Sequence, residues 1–465
     1  MKDNQGTYDT QSSKNISLST IKRIFHDLGA INIYVKKLAP NDNSKNQPFF
    51  GSHLTDLPFI PTGEMIASDS QSRKKGDQKS RIKYQTALKF FWIDSEGVTY
   101  PAPNAQLIYY PQYPEVRFSG FLLGSKANIS KWMAPEKQGR SEGRWLLLGV
   151  AKDRSIYAYL ATPESNLSNE LADTDYIEIS KIFWQLNADK SAPIKSTRDA
   201  LKAKLLEIHN MRWVPGQKLH AELGPKPYKA ANGGGYTLEA LLGIAPNGVA
   251  EPDYLGWEVK QFGVNKFPRT GSKPSTLMTP EPNGGFYRKN GAIEFVKTFG
   301  YADKSGKIDR INFGGKHIVN QIQKLTGLTM HLVGFDPVNS AITDSNGVIA
   351  LIDRAGNIAA SWSFAKLMNH WKCKHSQAVY VPCLRRTLSG EHQYWYGKDI
   401  ELGVGTNFER FLSAMFVGTV YYDPGIKLES ASSASAKLKP RNQFRVSHKN
   451  LESLYEVFEF VELND

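Results

Sequence analysis

Cysteine and long apolar runs are scarce in this chain of 465 residues. Two cysteines are too few for a disulfide scaffold and favour a reducing compartment. No early basic and apolar segment resembles a signal peptide, and no apolar run approaches the roughly 20 residues of a membrane helix. No repeat with a period of roughly 20 to 50 residues is visible. The absences predict a soluble, cytoplasmic protein.

Acidic residues are outnumbered, with 45 Asp and Glu against 58 Lys and Arg, and the isoelectric point is near 9.3. The basic excess is present on both sides of residue 195. This distribution favours a polyanionic partner that both halves touch. The length, with 40% apolar residues, allows two or three domains with their own cores.

The first half of the chain has the pattern of a β domain. Residues 1–15 are polar and predict a disordered tail. Apolar spacing over residues 16–29 predicts a helix, and short alternating runs up to residue 185 predict a mostly antiparallel sandwich or barrel. Residues 186–196 are the predicted linker.

The second half, residues 197–465, mixes helical and strand patterns. A first helix is capped by Thr197 or an adjacent serine. Later helices are predicted at 236–243, 291–300, 317–326, 363–372 and 407–416. Strands are predicted at 257–262, 329–335, 348–353, 378–383 and 455–463. This alternation indicates an α/β domain with a mixed central sheet.

Four charged residues cluster in GGGYTLEALLG, residues 233–243, and EPDYLGWEVKQ, residues 251–261. The predicted helix puts Glu239 in its first turn, where the helix dipole favours an acid. On a strand, Glu258 and Lys260 project to one face. A turn would bring Asp253 beside Glu258.

Two carboxylates and a lysine in this arrangement suit magnesium, which keeps waters that can attack a phosphodiester. Lys260 would orient or deprotonate such a water, or offset charge on the phosphate. A helix, a loop and a surface strand with solvated charges explain the same pattern. The glycine run, residues 233–235, lacks the Lys and Ser/Thr of a phosphate-binding loop and predicts a flexible approach to the helix.

Two other patterns suggest a zinc site and a DNA-binding patch, but each also has a purely structural explanation. His370, Cys373, His375 and Cys383 are zinc-ligand types, but their spacing fits no strong zinc motif, and helix-surface histidines with a buried cysteine are favoured. The basic run at residues 73–83 has no interleaved aromatic residue, which favours a solvated loop over a DNA patch.

The acid and lysine block resembles the catalytic segment of the MvaI/BcnI type restriction endonucleases, a MutH-like branch of the PD-(D/E)xK nucleases. The resemblance spans roughly residues 200 to 465. Further segments follow in family order: STLMTPEPNGG, FGYADKSGKI, SWSFAKLMNH, AVYVPC and RNQFRVSHKNLESLYEVFEFVEL. It implies a restriction-endonuclease-like α/β fold and Mg²⁺ as cofactor.

The resemblance also implies roles for single residues. Asp253 and Glu258 would be metal ligands, Lys260 the catalytic lysine and Glu239 a supporting acid.

Near the C-terminus, Arg445 falls where the family uses an arginine to read guanine, which also suits direct readout. Lys427 stands at another arginine position, with Gly425 in place of the expected acid. Asp423 either substitutes for that acid or is a solvated turn residue.

Residues 20–185 resemble the EcoRII-like effector domain, a pseudobarrel of the plant B-three type that binds DNA through two arms. The similarity rests on short segments such as INIYVKKLAPNDN, LPFIPTGEM and EVRFSGF. By position, one arm would carry Lys37, Asn41, Asp42 and Lys45, and the other Arg117, Ser119 and Lys126. For each residue taken singly, an exposed loop side chain is the slightly favoured explanation.

Together the two resemblances imply a monomeric type IIE restriction enzyme that binds double-stranded DNA, with a second copy of the site on the effector domain. A short C/G-rich pseudopalindrome such as CCWGG or CCSGG and a cognate DNA methyltransferase are implied with it. A MutH-like strand-nicking repair endonuclease and a non-catalytic DNA-binding regulator are the alternatives.

Overall fold

The computed structural model describes most of the chain and divides it into two units, Met1–Leu201 and Lys202–Asp465. The described residues are 6–40, 47–71, 80–134, 141–186, 196–230, 232–245, 253–268, 271 and 273–464. Apart from its two end residues, the predicted linker lies outside these ranges. Within them, no helix is long and apolar enough to cross a membrane.

The first unit is rich in strands, as predicted. Its larger sheet has the order Tyr176–Glu178, Trp184–Leu186, Ala30–Leu38, Arg144–Ala151, Ile156–Ala161, Phe90–Ile93 and Thr99–Pro101. Its second sheet has the order Phe49–Gly51, Glu115–Ser119, Gln106–Tyr110, Ser80–Ala87 and Met65–Gln71. Pairing is antiparallel except between Ile156–Ala161 and Phe90–Ile93. The B-three pseudobarrel stays a prediction.

The N-terminal segment is more ordered than predicted. The helices of the first unit are Gln11–Asn15, Leu18–Asp27, Ser130–Met133 and Asn166–Ala172, with a 3₁₀ turn at Leu54–Asp56. The side chain of Thr10 caps the first of them. Tyr8 is buried and its hydroxyl donates to the Ile93 carbonyl at 2.9 Å. The disordered tail predicted over residues 1–15 is therefore wrong for residues 6–15, because one aromatic side chain anchors them.

The second unit is built on a mixed sheet, as predicted. Five of its strands have the order Val214–Pro215, Glu391–Tyr396, Gln377–Leu388, Asp399–Val404 and Val457–Glu462. The strand Glu258–Gly263 pairs in parallel with Gln377–Leu388, with Glu258 opposite Ala378 and Lys260 opposite Tyr380. This parallel pair brings together segments more than one hundred residues apart in sequence.

Smaller sheets and helices complete the second unit. The smaller sheets contain Ser275–Met278, Phe444–Val446 and Val420–Tyr422; Tyr301–Ala302, Arg310–Gly314, Gly425–Glu429 and Lys437–Lys439; Thr329–Val333, Val348–Ile352 and Ile358–Ser363; Gln217–His220 and Gly224–Pro227; and Phe335–Asp336 and Ala341–Ile342. The helices are Thr197–Asn210, which crosses the unit boundary, Gly233–Leu241, Gly285–Asn290, Ala292–Phe299, Phe364–His375 and Phe408–Phe416, with a 3₁₀ turn at His448–Leu454. Ser196 caps the first helix by accepting from the Asp199 amide.

The helix predicted at residues 317–326 is wrong. The segment is extended and makes isolated bridges from His317 to Tyr422 and from Val319 to Met330. His317 is fully buried, with Nδ1 2.9 Å from the Gly315 carbonyl and Nε2 3.0 Å from the Thr326 hydroxyl. A neutral ring that donates from Nδ1 and accepts at Nε2 satisfies both bonds. These tertiary contacts override the helical spacing.

His317 predicts a specific loss of stability in acid. Burial lowers the pKa of His317 to about 4, below the value near 6.5 of an unfolded histidine. The unfolded chain then takes up the proton first, so stability is intact above about pH 6.5 and falls by up to about 3 kcal/mol as the pH drops towards 4. Thermal melts across this pH range should show a smaller acid loss for His317→Gln than for wild type. The exposed His220→Gln should melt like wild type, and an unchanged acid loss in His317→Gln would contradict the assignment.

Candidate active site

The residues after Asp253 form a tight, hydrogen-bonded turn. Tyr254 and Trp257 exchange two backbone hydrogen bonds of 2.9 and 2.8 Å across Leu255 and Gly256, whose φ angles are 48° and 86°. Two consecutive positive φ angles characterise the tight hairpin turn that matches strand twist. Asp253 Oδ2 accepts from the Val259 amide at 2.9 Å. The predicted approach of Asp253 to the strand is thus present in the structure.

Glu258 and Lys260 lie on one face of the strand Glu258–Gly263. Lys260 Nζ donates to Glu258 Oε1 at 2.7 Å. Trp257 and Val259 are buried, and the Glu258 side chain between them is buried as well. The strand period therefore places an acid and an amine side by side.

Glu239 lies in the last turn of the helix Gly233–Leu241, not in the first turn as predicted. The glycines at 233–235 belong to the helix, so their prediction as a flexible approach is wrong. A Cβ at Gly234 would lie 3.2 Å from the Gln261 side chain, and the Gly234 carbonyl accepts from the Tyr396 hydroxyl at 2.7 Å. Glycine therefore lets the helix pack closely on the strand that carries Glu258.

A second lysine reaches both carboxylates, and the sequence analysis missed it. Lys374 Nζ lies 3.4 Å from Glu258 Oε2 and 3.7 Å from Asp253 Oδ1. It projects from the last turn of the helix Phe364–His375, which Ser363 caps at the other end. One signal was available, since Lys374 lies four residues before the strand predicted at residues 378–383. That strand pairs with the one bearing Glu258.

The charges of the site act on one another. Burial raises the pKa of Glu239, and the negative charge of Glu258 adds to the effect. Burial and then Glu258 raise the pKa of Asp253 to about 6. Burial would also raise the pKa of Glu258, but Lys260 and Lys374 outweigh it and lower the pKa. Burial works against a charged Lys374, yet Glu258 and Asp253 leave its pKa raised. Glu258 is thus the carboxylate held ionised.

The donor set fits a hard divalent cation with few protein ligands. Among the described residues, no group of three or more His, Cys, Asp and Glu side chains is arranged to hold a metal. However, Glu258 Oε2 is buried without a hydrogen bond, and it faces the same ammonium as Asp253 Oδ1. Two carboxylates that converge on one positive charge match Mg²⁺, which takes one or two carboxylates and completes its shell with waters and phosphate oxygens.

His375 and Cys383, two of the candidate zinc residues, have other contacts. His375 is fully buried, stacks on Trp371 and places Nε2 2.8 Å from the Leu277 carbonyl, so it is not on the helix surface as predicted. Cys383 is buried inside the strand Gln377–Leu388, where burial raises the pKa of the thiol to about 12.

The structure brings together two of the three predicted C-terminal DNA-reading residues. Arg445 donates to Asp423 Oδ2 at 2.8 Å and to the Pro274 carbonyl at 2.9 Å. Asp423 is therefore a paired residue and not a solvated turn acid. Lys427 is exposed on a different sheet, opposite Asn312 and Lys439.

In the first unit, two residues predicted on different arms line the same cavity, namely Lys37 and Arg117. Ser119 accepts a hydrogen bond from Gln47 at 2.9 Å. Lys126 is exposed. The predicted contacts Asn41, Asp42 and Lys45, and residues 73–79 of the basic run, lie outside the described residues.

Comparisons with known proteins give a family match for most of the second unit. Residues 202–455 match the model of the MvaI/BcnI restriction endonuclease family. One similar solved structure is the restriction endonuclease MvaI–cognate DNA substrate complex, with 16% identity, a TM-score of 0.42, and coverage of 56% of this chain and 97% of that chain. Another is restriction endonuclease MvaI in the absence of DNA, with 14% identity, a TM-score of 0.32, and coverage of 59% and 100%. The comparison with curated proteins gives no match.

Proposed function

Since the chain belongs to the MvaI/BcnI restriction endonuclease family, we propose that it is a magnesium-dependent type II endonuclease whose active site is Glu239, Asp253, Glu258 and Lys260. Family membership makes the second unit a nuclease that hydrolyses DNA at specific sequences. The observation that carries the assignment is the convergence of Asp253 and Glu258 on one ammonium, with Lys260 bonded to Glu258.

Each side chain has a distinct task in this proposal. Asp253 and Glu258 would hold Mg²⁺, which when bound supplies an acidified water and neutralises phosphate charge. Lys260 stays fixed by Glu258, so its ammonium lies where it can orient the attacking water or stabilise charge on the phosphate. Burial and the charge of Glu258 raise the pKa of Glu239, which makes this acid a stronger proton acceptor than a solvated carboxylate.

The direct test is digestion of unmodified plasmid and genomic DNA with Mg²⁺, and sequencing of the ends. Discrete double-strand fragments that disappear in EDTA would support a restriction enzyme, and their ends give the site and the stagger. A single nick that needs a partner protein would favour a repair endonuclease. If no divalent metal supports the cutting of DNA, the result would favour a non-catalytic DNA-binding regulator.

For the substrate, we propose a short C/G-rich pseudopalindrome such as CCWGG or CCSGG, cut by a monomer, with a second copy of the site on the first unit as in type IIE enzymes. The basic charge of both halves of the chain supports DNA contacts by both units. A cognate methyltransferase would protect the host DNA. Faster cutting of a plasmid with two sites than of one with a single site would test the second copy.

Arg445 and Asp423 form a pair suited to one C·G base pair. An arginine can donate to guanine O6 and N7, and an acid can accept from cytosine N4. Arg445→Ala should lose about 1 to 3 kcal/mol of discrimination at one guanine, measured by cleavage of single-substituted duplexes. Lys297→Ala, the control, removes an exposed lysine paired with Glu294 and should keep the discrimination of wild type. Equal losses on all duplexes for Arg445→Ala would make it a phosphate contact.

A further inference from the structure

Among the described residues of the first unit, one buried cation, Lys36, has no counter-charge. Lys36 lies on the strand Ala30–Leu38, opposite Leu146, and only 8% of its surface is exposed. No described residue gives Lys36 a hydrogen bond or an ion pair. Its ammonium makes a cation–π contact with Phe183, with Nζ 5.7 Å from the ring centroid. Burial lowers the pKa of Lys36 to about 8. A buried ammonium without an anion is costly, so a bound anion would stabilise it.

Lys36 lines a cavity of about 520 Å³. This volume is within the range of about 300 to 1,000 Å³ that small-molecule sites occupy. None of the described lining residues is acidic, whereas Lys37, Arg117, Arg144 and Lys181 add positive charge. The cavity is therefore large enough for more than a simple ion and selects for negative charge.

The other lining cations differ from Lys36 in their contacts. Arg144 is 1% exposed and donates to the carbonyls of Ser141, Trp132 and Ala39 at 3.0, 2.6 and 2.8 Å, so it braces the wall. Arg117 is paired with Glu115 at 2.6 Å. Lys36 is therefore the buried cation of this wall that lacks both an acid and a carbonyl among the described residues.

Aromatic side chains complete the lining. Phe49 lies against the Arg117 guanidinium at 5.5 Å, and Trp184 is half-buried at the cavity wall. Exposed aromatic faces beside cations are what nucleotides use for stacking, and phosphate is the oxyanion that accompanies them.

We propose that this cavity is a phosphate site of the first unit, in which Lys36 binds one phosphate group of a nucleotide and Trp184 contacts its base. We expect the bound phosphate group to belong to a nucleotide of a DNA strand. A free nucleotide or inorganic phosphate would offer the same group and is the alternative. The inference extends the proposed function to a residue that neither the spacing nor the family resemblance identified. It does not depend on cleavage by the second unit.

The test compares the full chain with Lys36→Met, which keeps the side-chain length and removes the charge. Without oxyanions, Lys36→Met should melt a few degrees higher than wild type, because the uncompensated charge is gone. Adding inorganic phosphate or deoxyadenosine monophosphate should raise the melting temperature of wild type and leave Lys36→Met unchanged. The exposed Lys152→Met is the matched control and should respond like wild type.

Duplex and single-stranded DNA binding, measured by fluorescence anisotropy in EDTA at several salt concentrations, distinguishes the sources. If the phosphate belongs to a strand, Lys36→Met should bind DNA several-fold more weakly and the salt slope should fall by about one. If DNA binding is unchanged while the phosphate shift is lost, the ligand is a free phosphate compound. A lower melting temperature of Lys36→Met without oxyanions, or an equal phosphate shift in both proteins, overturns the proposal. If phosphate raises the melting temperature of the wild-type protein but the protein never cuts DNA, the phosphate site stands and only the proposed nuclease function is wrong.

Discussion

Replacing Lys260 by alanine should lower DNA cleavage by about a thousandfold and leave DNA binding nearly unchanged. Proton transfer and charge stabilisation by a positioned group are worth about 10² to 10⁴ in rate, and a thousandfold loss is about 4 kcal/mol. The Lys260 ammonium is held at 2.7 Å from Glu258, so its removal takes away the positioned cation and leaves the backbone of the strand in place. Single-turnover cleavage of a saturated duplex measures the loss, and anisotropy in EDTA measures binding.

The exposed Lys297, paired with Glu294 on the helix Ala292–Phe299, provides a control for the loss of one positive charge. Lys297→Ala should cut like wild type. Cleavage by Lys260→Ala at a rate close to wild type would refute the assignment of this site, whatever its effect on binding.

Lys374→Met should change metal binding and cleavage in opposite directions. Lys374 is the cation that faces both Asp253 and Glu258, so without it the two carboxylates repel each other and attract a metal ion more strongly. Calorimetric titration with Mn²⁺ should therefore show tighter binding than in wild type. In EDTA the variant should melt at a lower temperature, because buried Glu258 keeps only Lys260 as a partner. If the Lys374 ammonium, beside the two proposed metal ligands, also stabilises charge that develops on the phosphate, cleavage should fall by about a hundredfold.

Lys366 on the same helix is exposed and donates to the Glu281 carbonyl at 3.1 Å, which makes Lys366→Met the matched control. It should leave Mn²⁺ affinity and cleavage unchanged. If Lys374→Met binds Mn²⁺ no more tightly than Lys366→Met does, Lys374 does not neutralise the paired carboxylates.

The part of the site that the sequence predicts is the part that local geometry determines. Asp253, Glu258 and Lys260 belong to one turn and one strand, so a two-residue period and a Leu-Gly turn are enough to bring them together. Family membership of residues 202–455 and the mixed central sheet were likewise predictable from ordered motifs and alternating patterns.

The sequence-based predictions fail where contacts between residues distant in the sequence determine the structure. Lys374 joins the site only because two strands pair in parallel, and nothing near Asp253 in the sequence specifies that pairing. The helix with Glu239 starts earlier than predicted because glycine at position 234 packs against Gln261, a contact that propensity opposes. Residues 317–326 have helical spacing, but buried His317 and its bridges hold them extended.

The parallel pairing of Glu258–Gly263 with Gln377–Leu388 also sets the order in which the protein can become active during its synthesis. The strand with Glu258 and Lys260 leaves the ribosome more than one hundred residues before its partner. A nascent chain at that stage has the three acids and Lys260, but it lacks both the neighbouring strand and Lys374. Long-range parallel strands pair slowly, after the intervening chain is complete. Unfinished chains are therefore expected to be inactive on DNA.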